Sequence, residues 1–146
     1  MTIRAVLFDA GNTLLFVDYA RLAAGVSGAV GMTLTGPDLA RHADAAAVAM
    51  ETGGGDAERA AHYLDALLRL AGVPDNRLAT AAAAVYQLHA ERHIWSAVDP
   101  ATPAVLHRLR AAGLRLGVVS NSDGRVEAAL ESAGIRRYRS DERRVG

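Results

Sequence analysis

The run IRAVLF (3–8) is apolar at every position but one, and it stops at Asp9. Its short length and its branched and aromatic side chains predict a buried strand with a carboxylate at its carboxyl end. From about Asp18 to Arg92 the pattern changes to Ala, Leu, Arg and Glu at helical spacing. It is broken at Thr35-Gly36-Pro37, at Gly53-Gly54-Gly55 and at Gly72-Val73-Pro74-Asp75. These breaks delimit about four helices, with Asp56 and Asp75 expected as N-caps and Gly72 as a C-terminal stop. After Trp95 come a helix through ATPAVLHRLRAAG (101–113), an apolar strand over Leu114–Val119 and a helix within SDGRVEAALESAG (122–134).

Helix, strand, loop, helix after a first strand is the alternation of an α/β sheet. Both strands are apolar along most of their length, so a parallel sheet covered on both faces is expected. Asp9 and Ser120 stand at the carboxyl ends of the two strands, where open α/β sheets bind ligands. The expected organisation is an α/β core from 1–16 and 95–138, an all-helical insertion over 17–94, and a polar tail over 139–146.

Composition narrows the partners. With 51% hydrophobic residues, 22% charged residues and a net charge of zero, the chain reads as a soluble globular protein with no global electrostatic attraction for nucleic acid. Its apolar stretches are broken well before they would cross a bilayer, and no basic-then-apolar leader opens the chain, so a cytoplasmic location without membrane association is expected. The absence of cysteine excludes disulfides and thiolate chemistry. All 16 basic residues are arginine, so no step of the chemistry can use a lysine of this chain.

VLFDAGNTLL, a helical block, and then LHRLRAAGLRLGVVSNSDGRVEAALESAGI together resemble the haloacid dehalogenase superfamily of hydrolases, from Ile3 to about Tyr138. The first motif of that family is Asp-x-Asp-x-Thr at the end of the first strand, matched here by Asp9, Gly11 and Thr13. The second is a Ser or Thr ending the next core strand, matched by Ser120 in VVSNS. Two motifs on strand ends, separated by a cap-like helical insertion, are far more specific than either alone. The implied fold is an incomplete Rossmann-like parallel core with an inserted helical cap.

The resemblance implies phosphoric monoester hydrolysis through an aspartyl-phosphate, with a small phosphorylated metabolite as substrate. Asp9 is the implied nucleophile. Mg²⁺ is the implied cofactor, held by Asp9 and the main-chain carbonyl of Gly11, because a carboxylate and a phosphate otherwise repel. Thr13, Ser120 and Asn121 are the implied phosphate contacts, and a helix starting near Asp123-Gly124 would add a favourable N-terminal field.

Two departures follow. Gly11 lacks the second carboxylate that would protonate the leaving alcohol, a contribution on the order of 10²–10⁴ in rate. The family's later basic residue and acidic pair also have no counterpart before Gly146, and RSDERRVG (139–146) resembles the translation of a sequencing-library adaptor, differing at Asp141. The expectation is a truncated frame with a non-native tail and impaired activity. Rival readings are a metal-independent 2-haloacid dehalogenase, which usually has Tyr where Gly11 stands, and a non-catalytic fragment or binding module. A monomer or a homodimer is expected.

Other patterns read more plainly. His89, Glu91 and His93 do not have the spacing of a HExxH site and read as a solvated helix end. Gly53–Gly55 lacks a following Gly-Lys-Ser/Thr and reads as a loop between helices. Leu64, Leu67, Leu68 and Val85 read as core, while Tyr19, Met50 and Tyr86 are candidates for a substrate pocket.

Overall fold

The computed structural model describes residues 3–52, 54–120 and 125–138. In chain order its elements are β1 (Ala5–Asp9), β2 (Phe16–Val17), α1 (Tyr19–Val30), α2 (Gly36–Ala40), α3 (Ala43–Ala47), α4 (Asp56–Leu70), α5 (Leu78–Glu91), β3 (Trp95–Ala97), α6 (Thr102–Ala111), β4 (Arg115–Val119) and α7 (Val126–Ser132). Short 3₁₀ turns occupy Val48–Thr52, Asp75–Arg77 and Arg136–Tyr138. The chain divides into an α/β unit (Met1–Val17 with Arg92–Gly146) and a helical unit (Asp18–Glu91). No helix among the described residues is long and apolar enough to cross a membrane.

In the α/β unit, β1 and β4 pair in parallel from Ala5↔Arg115 to Asp9↔Val119, and β2 pairs antiparallel with β3. The approach to β4 is set by Gly113, whose φ of +81° suits a residue without Cβ. Gly113 N–H donates to the Arg110 carbonyl (2.9 Å) and Leu114 N–H to that of Leu109 (3.2 Å), which closes α6 and turns the chain into the strand. Leu106 of α6, Leu116 of β4 and Ala129 and Leu130 of α7 form one apolar cluster with Leu14 and Leu15. Val6, Phe8 and Val118 pack against it from the sheet.

Among the described residues the cluster covers one sheet face, whereas the apolar strands predict cover on both. Side chains alternate across a strand, so Val6 and Phe8 point into the cluster, whereas Leu7 is 64% exposed and Val119 58% exposed. Leu7 lies across Gly117, where an added Cβ would come within 2.6 Å of Leu7 Cδ2.

The helical unit contains the four expected helical stretches with one division. The stretch after Thr35-Gly36-Pro37 breaks at Arg41-His42 into α2, α3 and the first 3₁₀ turn, with His42 at φ −101°, ψ 0°. The cap positions also shift by one residue. Gly55 precedes α4 and Pro74 precedes the second 3₁₀ turn, each with extended backbone, so Asp56 and Asp75 are first helical residues rather than caps. Gly72 does end α4, at φ +88°. Asp18 caps α1 by accepting from Arg21 N–H (3.0 Å). Thr35 and Asp38 form a reciprocal capping box at α2. Leu64, Leu67, Leu68 and Val85 are buried as expected, while Met50 and Tyr86 are exposed.

Candidate active site

The apolar run of β1 carries the chain to Asp9, whose side chain emerges at the end of the ladder. Ala10 is buried and its N–H donates to Oδ1 of the exposed Asp9 (2.8 Å). The Ala10 carbonyl then accepts from both Leu14 N–H (3.0 Å) and Leu15 N–H (2.9 Å), and Asn12 N–H donates to the Leu15 carbonyl (2.9 Å). Buried Leu14 and Leu15 anchor this loop, so its polar tip, Asn12-Thr13, faces outward. Asn12 has φ +56°, a left-handed conformation that asparagine tolerates better than most side chains. Gly-Asn after a strand is a turn signal, and Asn12 takes that turn.

The parallel register sets Asp9 beside Val119, so Ser120, the next residue, belongs to the same end of the ladder. Adjacent strands are about 4.8 Å apart, which brings the Asp9 and Ser120 backbones to neighbouring positions although 110 residues separate them in the chain. Ser120 is half-buried and Thr13 is exposed on the turn. Asn121 lies outside the described residues, as do Ser122, Asp123, Gly124 and the tail from Arg139. The following helix begins at Val126, after Arg125.

Gly11 has a close neighbour that the sequence reading missed. A Cβ built on it would stand 3.4 Å from Trp95 Cζ3 and 3.8 Å from Cε3 and Cη2, so the six-membered ring of the indole lies over the glycine. Trp95 reaches this position because β3 pairs with β2, with Val17↔Trp95 in register. The Trp95 backbone N–H donates to His93 Nδ1 (3.3 Å). The link spans more than eighty residues and follows from a two-residue strand, which leaves little trace in local pattern.

Oxygen donors are the chemistry of this strand end. The Asp9 carboxylate and the Gly11 carbonyl are hard ligands that suit Mg²⁺, an ion bound by one or two protein oxygens with phosphate and water completing its shell. The hydrogen bonds that close the loop use the carbonyls of Ala10 and Leu15 and not that of Gly11. Among the described residues no group of three or more His, Cys, Asp or Glu is placed to hold a metal. His89, Glu91 and His93 form no such centre, and Glu91 is 3.9 Å from Arg21.

Two cavities among the described residues lie elsewhere. One is an apolar void of about 10 Å³ between Phe8, Leu14, Leu106 and Tyr138 in the core. The other is an open cleft of about 420 Å³ in the helical unit, beside Val30, Arg77 and Thr80. In that unit the hydroxyls of Tyr19 and Tyr63 are 3.0 Å apart. Burial, reinforced by the Tyr19 hydroxyl, pushes the Tyr63 phenol well above its ordinary value.

No protein-family model matches the chain, and no curated protein sequence matches it. Among solved structures, a predicted phosphoglycolate phosphatase from Haemophilus somnus 129PT matches 96% of this chain at 21% identity, with a TM-score of 0.53. An L-2-haloacid dehalogenase matches 95% of it at 25% identity, with a TM-score of 0.49. The chain spans 62% of the length of each of these two structures. At such identity the likeness to the first is one of architecture: a small parallel sheet with helices and a helical insertion after the first strand. The chain shares that α/β fold with a helical insertion.

Proposed function

We propose that this chain carries the nucleophile end of a phosphoric monoester hydrolase, and that its substrate is a small phosphorylated metabolite. The observation that supports this reading is the register Asp9↔Val119, which sets a carboxylate and the Ser120 hydroxyl at one end of a parallel ladder. Asp9 Oδ2 attacks phosphorus as the ester P–O bond breaks, and the bonding pair leaves with the alcohol oxygen. Ala10 N–H holds Oδ1 and so orients the carboxylate for that attack. Thr13 and Ser120, with Asn121, hold the equatorial oxygens. Water then cleaves the acyl phosphate and restores Asp9. Asp9 and the Gly11 carbonyl would hold Mg²⁺, which when bound offsets the repulsion between the carboxylate and the incoming phosphate.

Residue 11 brings no proton to the leaving oxygen. The reading therefore favours esters whose leaving groups are stable as anions. The test is release of p-nitrophenol from p-nitrophenyl phosphate by the 146-residue chain and by Asp9→Asn, with and without Mg²⁺. The expected result is Mg²⁺-dependent release that Asp9→Asn lowers at least a hundredfold. Equal rates for the two proteins would overturn the assignment of Asp9. Halide release from a 2-haloacid without metal would move the reading to carbon–halogen cleavage.

A further inference from the structure

We propose that Trp95 is a specificity-determining residue that offers an aromatic wall to the leaving group, so that the preferred substrates are aryl phosphates. The proposal rests on the phosphoryl-transfer reading of Asp9 and names the substrate class for that site.

Three observations carry it. The backbone at Gly11 does not require glycine, because its φ lies outside the left-handed region. The space over its α-carbon is filled by the Trp95 ring, with Cζ3 at 3.4 Å from a built Cβ. The ring is held in place, since Trp95 pairs with Val17 through β3 and packs against the Leu14-Leu15 cluster while remaining half-exposed. In the place a side chain of residue 11 would occupy, this chain presents the six-membered ring of an indole.

An aryl leaving group suits that surface twice. It stacks on the ring or meets its edge, a contact worth about two- to tenfold in affinity. It also departs as a phenolate, which needs far less protonation than an alkoxide, and residue 11 has no proton to give. The bare glycine and the adjacent indole thus point to the same class of substrate by independent routes.

Trp95 is the only tryptophan, so its fluorescence reports the wall directly. The experiment titrates phenylphosphonate, methylphosphonate and inorganic phosphate into the 146-residue chain with Mg²⁺. Trp95 emission and isothermal calorimetry are both followed, and calorimetry is repeated on Trp95→Phe and Trp95→Ala. The expected result is phenylphosphonate binding about two- to tenfold tighter than methylphosphonate and changing the emission. Trp95→Phe should keep most of that ratio, and Trp95→Ala should bring it to one. A ratio of one in the unsubstituted protein overturns the proposal without any variant, as does an unchanged ratio in a folded Trp95→Ala. Binding of phosphate without aryl preference removes the wall and leaves the phosphate site standing. Failure of all three ligands to bind removes the site reading and the wall with it.

Discussion

Substituting Gly11 tests the packing around Asp9 in two steps. Alanine adds a Cβ at 3.4 Å from the Trp95 ring, an ordinary contact, on backbone that does not need glycine. Losing glycine's freedom in the unfolded chain then stabilises the fold by about 0.4–1 kcal/mol, or roughly 1–3 °C in Tm for a chain of this size. Aspartate adds the same Cβ together with a carboxylate two residues from that of Asp9. In extended chain those α-carbons are about 7 Å apart, and two charges at that distance repel by roughly 0.6–1.2 kcal/mol for an effective dielectric between 80 and 40. That repulsion, with the apolar ring beside it, raises the pKa of the introduced carboxyl. A raised pKa contributes stability that is present below the ordinary value and lost as pH rises. Gly11→Asp should therefore match Gly11→Ala near pH 4 and fall about 1 kcal/mol behind it at pH 7. Urea unfolding followed by Trp95 emission measures both. The reasoning is refuted if Gly11→Ala destabilises by more than about 1 kcal/mol, or if the two variants stay equal across that pH range. In activity, Gly11→Asp alone should give alkyl esters less than the 10²–10⁴ of a well-placed acid, because the ring stands in its way. Gly11→Asp combined with Trp95→Ala should exceed the product of the single effects.

The remaining expectations concern the helical unit and can be read by far-ultraviolet circular dichroism. Gly28 is exposed in α1 with nothing within 4 Å of a built Cβ, so Gly28→Ala should stabilise by about 0.5–1 kcal/mol. Gly36→Ala should destabilise by about 1–3 kcal/mol, because its Cβ would press on the Ala20 backbone N at 3.1 Å. The Thr35 hydroxyl and N–H hold the Asp38 carboxyl below its ordinary value. Its contribution is thus full above about pH 4 and is lost as pH falls through the lowered value, and Thr35→Ala should move the acid transition of this unit upward. Tyr63 has the opposite sign. Its raised pKa keeps the phenol neutral in the folded state, so the unit should lose stability as pH rises past about 10, and Tyr63→Phe should reduce that slope.

Much of the α/β unit is legible in the sequence because its signals are local. An apolar run that ends at Asp9 and another that ends before Ser120 mark the strand ends directly, and Gly113 marks the turn between α6 and β4. The covered face is not legible in the same way. Leu7 and Val119 are as apolar as Val6 and Val118, so the run contains no alternation to show which side packs. Asp56 and Asp75 suit the cap on sequence grounds because acidic residues favour both the cap and the first turn. Gly55 and Pro74 take the extended position before them. Trp95 was out of reach for another reason: its position over Gly11 depends on the pairing of β2 with β3, a long-range contact that no periodicity encodes.

The open face of the β1–β4 ladder has a practical side. Among the described residues the ladder has no third strand, and Ile3, Leu7 and Val119 give it an adhesive surface in the native state. Arg115, which shares that face with Leu7 by the alternation of the ladder, adds charge at its amino-terminal end that opposes stacking of one molecule on another. Environment-sensitive dyes such as anilinonaphthalene sulfonate should light up on the folded protein, so their signal does not diagnose a molten globule here. Dye-based melting screens would start from a high baseline and respond weakly to ligands. The built-in indole beside Gly11 is the cleaner reporter, because it sits in the unit that bears Asp9 and needs no added probe.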